Sequence, residues 1–167
     1  DKWEQLPKDI EWHMVGHVQR NKVKYMAPYV SLIHAVDSLK LLKEINKRAK
    51  QNERTIHCLL QIKIAEEDSK FGISRDETRD ILESEAYQKM KHARIVGLMG
   101  MATFTDDEAQ VRQEFERLQH IAADFQKDFP ELTEVSMGMS GDYHIALECG
   151  TTMVRIGSSI FGERNYN

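Results

Sequence analysis

The stretch TTMVRIGSSIFGER, residues 151–164, places Arg155 among apolar and small polar residues. Its first half has the composition of a buried strand, and Arg155 interrupts that run. Gly157 and Ser158 follow at once, and Ser140 ends an earlier stretch of the same kind. Loops of this composition bind tetrahedral anions through backbone N–H groups and hydroxyls. We predict a phosphate site at Ser140, Gly157 and Ser158, whereas an isolated Arg155 would more simply reach solvent or pair with a carboxylate.

A second group of polar residues lies in the stretch WHMVGHVQRNK, residues 12–22. The residues in this stretch whose side chains could bind a ligand or a metal are His13, His17, Gln19, Asn21 and Lys22. A metal site needs further converging ligands, and the sequence has neither an HExxH motif nor a compact carboxylate triad. We therefore predict no metal site. The other histidines are interpreted as surface or hydrogen-bonded interior residues: His34, His57, His92, His120 and His144.

The elements that would hold these residues alternate between strand and helix patterns. Strands are predicted at 11–17, 30–36, 55–65, 93–104, 132–140 and 151–157. Helices are predicted at 20–29, 37–52, 75–90, 105–129 and 141–150. Strict alternation predicts parallel strands joined by right-handed crossovers, in either a doubly wound sheet or a barrel.

Polar residues follow several of these strands rather than one switch point, and no GxGxxG follows the first strand. This favours an α/β fold of the (β/α)8 TIM type. A complete barrel takes about 250 residues, so the 167 residues predict an incomplete barrel of about six parallel strands. We expect its open edges to be covered by a neighbouring copy, a domain swap or a missing N-terminal piece, because unpaired edges aggregate.

Composition narrows the classes of partner. The net charge of −4 and the scattered basic residues predict neither nucleic-acid binding nor attachment to an anionic membrane. No apolar run is long enough to span a membrane. The two cysteines, Cys58 and Cys149, lie far apart and are interpreted as reduced thiols of a cytoplasmic protein.

Four stretches occur together in a characteristic order: WHMVGHVQRNK, EEDSKFGI, GLMGMA and SMGMSGDYHIALECGTTMVRIGSSIFG. Together they resemble the pyridoxal-phosphate homeostasis protein family, over nearly all of the chain. The resemblance implies one domain over residues 1–167, a barrel similar to the N-terminal domain of alanine racemase. It also implies a protein that binds pyridoxal 5'-phosphate (PLP) and manages its supply without established catalytic turnover.

The resemblance also implies roles for individual residues. Arg155 matches the arginine that faces the pyridine nitrogen of PLP, which would keep that nitrogen unprotonated and weaken carbanion chemistry. The resemblance then implies that Gly157, Ser158 and Ser140 bind the phosphate of PLP. Met139 would form a wall of the pocket. His17 and Asn21 match motif positions at the barrel mouth, without an assigned role.

One family feature has no counterpart in the sequence. The family's Schiff-base lysine lies on the first barrel strand, and Lys22, Lys63 and Lys70 do not match its motif. Lys70 in EEDSKFGI is either a functional loop lysine or a solvated charge. The resemblance implies that the chain corresponds to strands 3–8 and lacks two β/α units, about 60 residues. No catalytic residue is therefore predicted within it.

Two enzyme classes are alternatives to a binding protein. A PLP-dependent amino-acid racemase of this fold would need a second domain that supplies an opposing base. A barrel hydrolase or isomerase with a phosphorylated substrate would need a carboxylate pair, which the sequence does not reveal. Size and composition therefore favour the homeostasis protein.

Overall fold

Stretches rich in aliphatic and β-branched residues form six parallel strands in the computed structural model, which describes residues 2–66 and 71–162. The strands are β1 (Trp12–Met14), β2 (Val30–Val36), β3 (Ile56–Gln61), β4 (Ala93–Met99), β5 (Glu134–Met139) and β6 (Met153–Arg155). The helices are α1 (Lys2–Gln5), α2 (Val23–Met26), α3 (Leu39–Gln51), α4 (Arg75–Glu83), α5 (Glu85–Gln88), α6 (Glu108–Asp128), α7 (Tyr143–Glu148) and α8 (Ser158–Phe161). A 3₁₀ turn, Arg20–Lys22, precedes α2.

The sheet keeps the order of the chain, β1-β2-β3-β4-β5-β6, and each strand is parallel to its neighbours. A doubly wound sheet would reverse its order at a switch point. His34 in β2 lies 2.9 Å from Ser136 in β5, although two strands separate them in the sheet. The sheet is thus curled into a half-barrel, which confirms the predicted incomplete barrel of the TIM type.

Helices cover the outer face of the sheet and bury the larger apolar core. In α6 the residues Phe115, Leu118, Ala122 and Phe125 are buried at spacings of three and four, as the periodicity predicts. Helix α3 begins where the Ser38 side chain accepts a hydrogen bond from the Leu41 N–H, which makes Ser38 its N-cap.

The inner face of the curled sheet holds a smaller and more polar interior. Its apolar residues are Leu32, Ala35, Leu59 and Met99. The sheet also holds four buried polar side chains, one each from β2, β3, β5 and β6: His34, Gln61, Ser136 and Arg155. A half-barrel of six strands is thus curved tightly enough to bury part of its own inner face.

Several predicted boundaries were wrong for local reasons. The predicted helix at 75–90 is two helices, because Ser84 takes an extended conformation between them and caps α5. The predicted strand at 55–65 leaves the sheet after Gln61, and the chain forms an isolated bridge between Ile62 and Ile73. Residues that were assigned to the last loop form α8, a single turn.

Gly97 explains how closely β4 and β5 approach one another. It lies opposite Glu134, and a Cβ at this position would be 1.9 Å from the Glu134 carbonyl oxygen. Any side chain there would push the two strands apart. The strand pair that leads into the Ser136 region therefore depends on a glycine.

Two further observations concern the cysteines and the lengths of the helices. Cys58 and Cys149 are free thiols, as predicted. Within the described ranges no helix has the length and apolar character needed to cross a membrane.

Candidate functional site

Arg155 ends β6 and is the buried centre of the site, with 8% of its surface exposed. One terminal nitrogen, Nη1, donates to the Ser136 hydroxyl at 2.7 Å, and Nη2 donates to the Gly100 carbonyl at 3.1 Å. Its Nε is buried and has no acceptor among the residues that the structure describes. The alternative of a solvent-reaching arginine is therefore wrong, because the guanidinium turns inward.

The surroundings of Arg155 disfavour its charge only moderately. Burial lowers the pKa of the guanidinium to about 10, and the charge of Asp142 acts in the opposite direction. Arg155 thus remains a cation at neutral pH. A buried cation that still has unused hydrogen-bond donors is suited to bind a ligand that offers an acceptor atom or a negatively charged group.

The predicted phosphate residues come together at the ends of β5 and β6. The Ser140 hydroxyl accepts hydrogen bonds from the Gly157 N–H at 3.1 Å and from the Ser159 N–H at 3.4 Å. Ser158 is the first residue of α8 and is exposed, and a Cβ on Gly157 would point into open space. Two backbone donors thus already converge on one oxygen at an open surface.

Met139 lies beside this cluster, in register with Arg155 on the neighbouring strand. It is 45% exposed, and its backbone N–H donates to the Asp142 carboxylate. The preceding Gly138 has a φ of +93°, which a residue with a side chain rarely adopts. This glycine turns the end of β5, so that Met139 and Ser140 emerge at the rim of the half-barrel.

His17 and Asn21 lie in the segment that follows β1. The His17 ring stacks on Phe71 with centroids 4.2 Å apart, and its Nδ1 is 3.7 Å from a carboxylate oxygen of Asp37. Asn21 is exposed in the 3₁₀ turn. In the described part of the chain, no hydrogen bond joins either residue to Arg155 or Ser140.

Two of the three lysines considered in the sequence lie within the described residues, and both are exposed. Lys22 and Lys63 are exposed, and Lys70 lies outside the described residues. Among residues 2–66 and 71–162, no group of three histidine, cysteine or carboxylate side chains is arranged to hold a metal ion.

Three polar residues behind Arg155 were not assigned to the site by the sequence. Ser136 accepts from Arg155, His34 contacts Ser136, and the His13 Nδ1 lies 3.1 Å from the His34 Nε2. Their signal in the sequence was a polar side chain inside each of three otherwise apolar strands.

The loops after β3 and β4 are held together by one buried carboxylate. Glu114 of α6 accepts hydrogen bonds from the backbone N–H and hydroxyl of Thr103, from the Glu66 N–H and from the Gln110 amide. It is 1% exposed. Glu114 thus fixes two loops at the rim that carries the site.

Comparison with known proteins places this architecture in a family. Residues 4–165 match the family described as alanine racemase, N-terminal domain. A pyridoxal phosphate homeostasis protein of Aquifex aeolicus is 35% identical over 95% of this chain and 69% of its own length. The protein of that name in Vibrio alginolyticus is also 35% identical, over 95% of this chain and 67% of its length. The chain belongs to the pyridoxal phosphate homeostasis protein family. It spans about two thirds of the length of these relatives.

Solved structures confirm the fold that this family membership implies. The structure of PipY from Synechococcus elongatus with PLP bound has a TM-score of 0.84 at 31% identity, covering 96% of this chain and 74% of PipY. The structure of PipY without PLP has a TM-score of 0.86. An alanine racemase of Clostridium difficile, at 14% identity and a TM-score of 0.72, shows the shared fold alone.

Proposed function

We propose that this chain binds PLP at the ends of β5 and β6 and serves in PLP homeostasis. The observation that carries the proposal is the buried Arg155 cation beside the exposed cluster of Ser140, Gly157 and Ser158. The family name of the relatives and the PLP bound to PipY support it.

The residues fit the two ends of PLP. Arg155 has a buried Nε–H for which the described residues offer no acceptor, and a pyridine nitrogen is an acceptor. The N–H groups of Gly157 and Ser159 already converge on the Ser140 hydroxyl, so a phosphate oxygen can take that place.

Each residue then has a defined task in the proposed site. Arg155 holds the ring nitrogen as a donor and keeps it unprotonated, because a second cation beside a guanidinium is disfavoured. Ser140, Gly157 and Ser158 bind the phosphate, and Met139 covers the exposed side. His17 and Asn21 line the mouth. PLP itself would supply a reactive aldehyde on an electron-poor ring.

The remaining proposals concern the molecule as a whole. We infer that residues 1–167 act as one PLP-binding barrel domain in the cytoplasm, and the two free thiols support that compartment. The outer sides of β1 and β6 pair with no other strand in the described ranges. We infer that copies of the chain associate through these open edges.

The proposed function is tested by titrating the chain with PLP and replacing Ser158 by glutamate. A carboxylate at Ser158 would repel the phosphate and displace its hydrogen bonds, and we expect Kd for PLP to rise about 30-fold, about 2 kcal/mol. Gln51→Glu adds the same charge on the exposed end of α3 and should leave Kd unchanged. Absence of saturable PLP binding by the unmodified chain would overturn the function, and an unchanged Kd in Ser158→Glu would overturn the site.

A further inference from the structure

A line of four polar side chains crosses the inside of the half-barrel, from one edge strand to the other. Arg155 of β6 contacts Ser136 of β5 at 2.7 Å, Ser136 contacts His34 of β2 at 2.9 Å, and His34 contacts His13 of β1 at 3.1 Å. Ser136 and His34 are fully buried, whereas His13 is exposed. The line therefore connects the proposed PLP site with the opposite edge strand of the sheet.

The chemistry of Arg155 sets the direction of every hydrogen bond in this line. A guanidinium only donates, so the Ser136 oxygen must accept. The hydroxyl proton of Ser136 is buried, and among the described residues its available acceptor is the His34 Nδ1. His34 then carries its proton on Nε2 and donates it to the His13 Nδ1. A reversed line would leave the buried hydroxyl proton without an acceptor, which is costly.

Electrostatics support a neutral His34. Burial, the charge that His13 of β1 carries when protonated and the charge of Arg155 of β6 together lower the pKa of His34 to about 4, and burial has the largest effect. The carboxylate of Asp142, which precedes α7, acts on Arg155 rather than on His34. A neutral imidazole accepts at one nitrogen and donates at the other, as the direction of the line requires.

We propose that His34 is a positioning residue, which holds Ser136 as an acceptor for Arg155 and thereby orients the guanidinium toward the ring nitrogen of PLP, with His13 as the terminal acceptor. The proposal rests on the proposed function for the role of the ring nitrogen. The direction of the line depends only on the protein.

The direction is tested by ¹⁵N NMR of the histidine-labelled chain without PLP, at about pH 8, where an ordinary histidine is neutral. We expect the His34 Nδ1 to resonate as an unprotonated nitrogen and Nε2 as a protonated one. Ser136→Ala should remove this preference, whereas His57→Gln, an exposed change on β3, should not. A His34 that is protonated on Nδ1 would overturn the proposed line.

The positioning role is tested by comparing two substitutions of His34 in PLP titrations. In His34→Asn the Oδ1 atom can still accept from Ser136, whereas His34→Leu has no acceptor. We expect Kd for PLP to rise about fivefold in His34→Leu, the value of one neutral hydrogen bond, and to stay close to wild type in His34→Asn. The absorbance maximum of bound PLP, which reports the surroundings of the ring, should shift only in His34→Leu.

The outcomes separate the two proposals. Equal affinity and equal spectra for His34→Leu and the unmodified chain would overturn the positioning role. A chain that shows the expected His34 tautomer but binds no PLP would overturn the proposed function and, with it, the role at the ring nitrogen. A chain that binds PLP with His34 protonated on Nδ1 would overturn the positioning line alone.

Discussion

His34 is a titratable residue, and three features of its surroundings oppose its protonation. Its removal from water has the largest effect on its pKa, and the charge of His13, when that residue is protonated, and the charge of Arg155 act in the same direction. The folded protein therefore keeps this imidazole neutral well below the pH at which a free histidine becomes charged.

We predict a loss of stability in mild acid that depends on His34. The pKa of His34 is lowered from 6.5 to about 4, so the unfolded chain binds more protons than the folded one between these values. The contribution is complete above about pH 6.5 and is lost as the pH falls toward 4. At roughly 1.4 kcal/mol per pKa unit, it amounts to about 3 kcal/mol.

Urea unfolding at a series of pH values measures this effect. The free energy of unfolding should fall less steeply between pH 6.5 and about 4 in His34→Asn than in the unmodified chain. His57→Asn, which changes an exposed histidine of β3, should retain the steep dependence. Identical slopes in all three proteins would show that His34 is not the source.

At the level of the elements, Glu114 connects α6 with the loops that follow β3 and β4. Both carboxylate oxygens act as acceptors, and the donors come from Thr103, Glu66 and Gln110. A carboxylate is suited to this position because every partner is a donor. At this part of the rim, the loops after β3 and β4 are thus connected through a side chain of α6 rather than through strand pairing.

We predict that Glu114→Gln destabilises the protein by about 2 kcal/mol, because the new amide would place a donor against a buried donor. Thermal and urea unfolding measure the loss. Glu116→Gln, an exposed change on the same helix, should alter stability little. If the two variants unfold alike, the connection through Glu114 contributes nothing to stability.

For the whole molecule, the proposed association of copies concerns the two edge strands of the half-barrel, β1 and β6. β1 and β6 are each three residues long and pair on one side in the described ranges. Short edges limit aggregation but still present unpaired backbone groups. The apolar Ile160 and Phe161 are exposed immediately after β6.

We predict that the molecular mass in analytical ultracentrifugation rises with protein concentration. Val154→Lys places a charge within the edge strand β6 and should return the mass to that of a monomer. Leu147→Lys introduces the same charge on an exposed position of α7 and should not. A monomeric mass for the unmodified chain at every concentration would contradict association through the edges.

Local patterns in the sequence determined the order of the elements and the place of the small-residue loops. Largely apolar stretches such as 30–36 coincide with a strand of the structure, because a strand that is buried on both faces is rich in apolar residues. Strand and helix alternation implies parallel pairing, since each crossover must return to the same edge. The small side chains of Ser140 and Gly157 were visible in the sequence, and the structure joins the two residues by a hydrogen bond; anion binding there stays a prediction.

Only the tertiary structure decided which distant residues meet. Ser136 and His34 are 102 positions apart and touch because the sheet curls across two intervening strands. No local periodicity encodes that curvature, which arises from strand register and from close approaches such as Gly97 against Glu134. The sequence thus determined the order of the strands and helices, although several strands end earlier than predicted. The curvature of the sheet decided that Arg155 turns inward and that His13, His34 and Ser136 stand behind it.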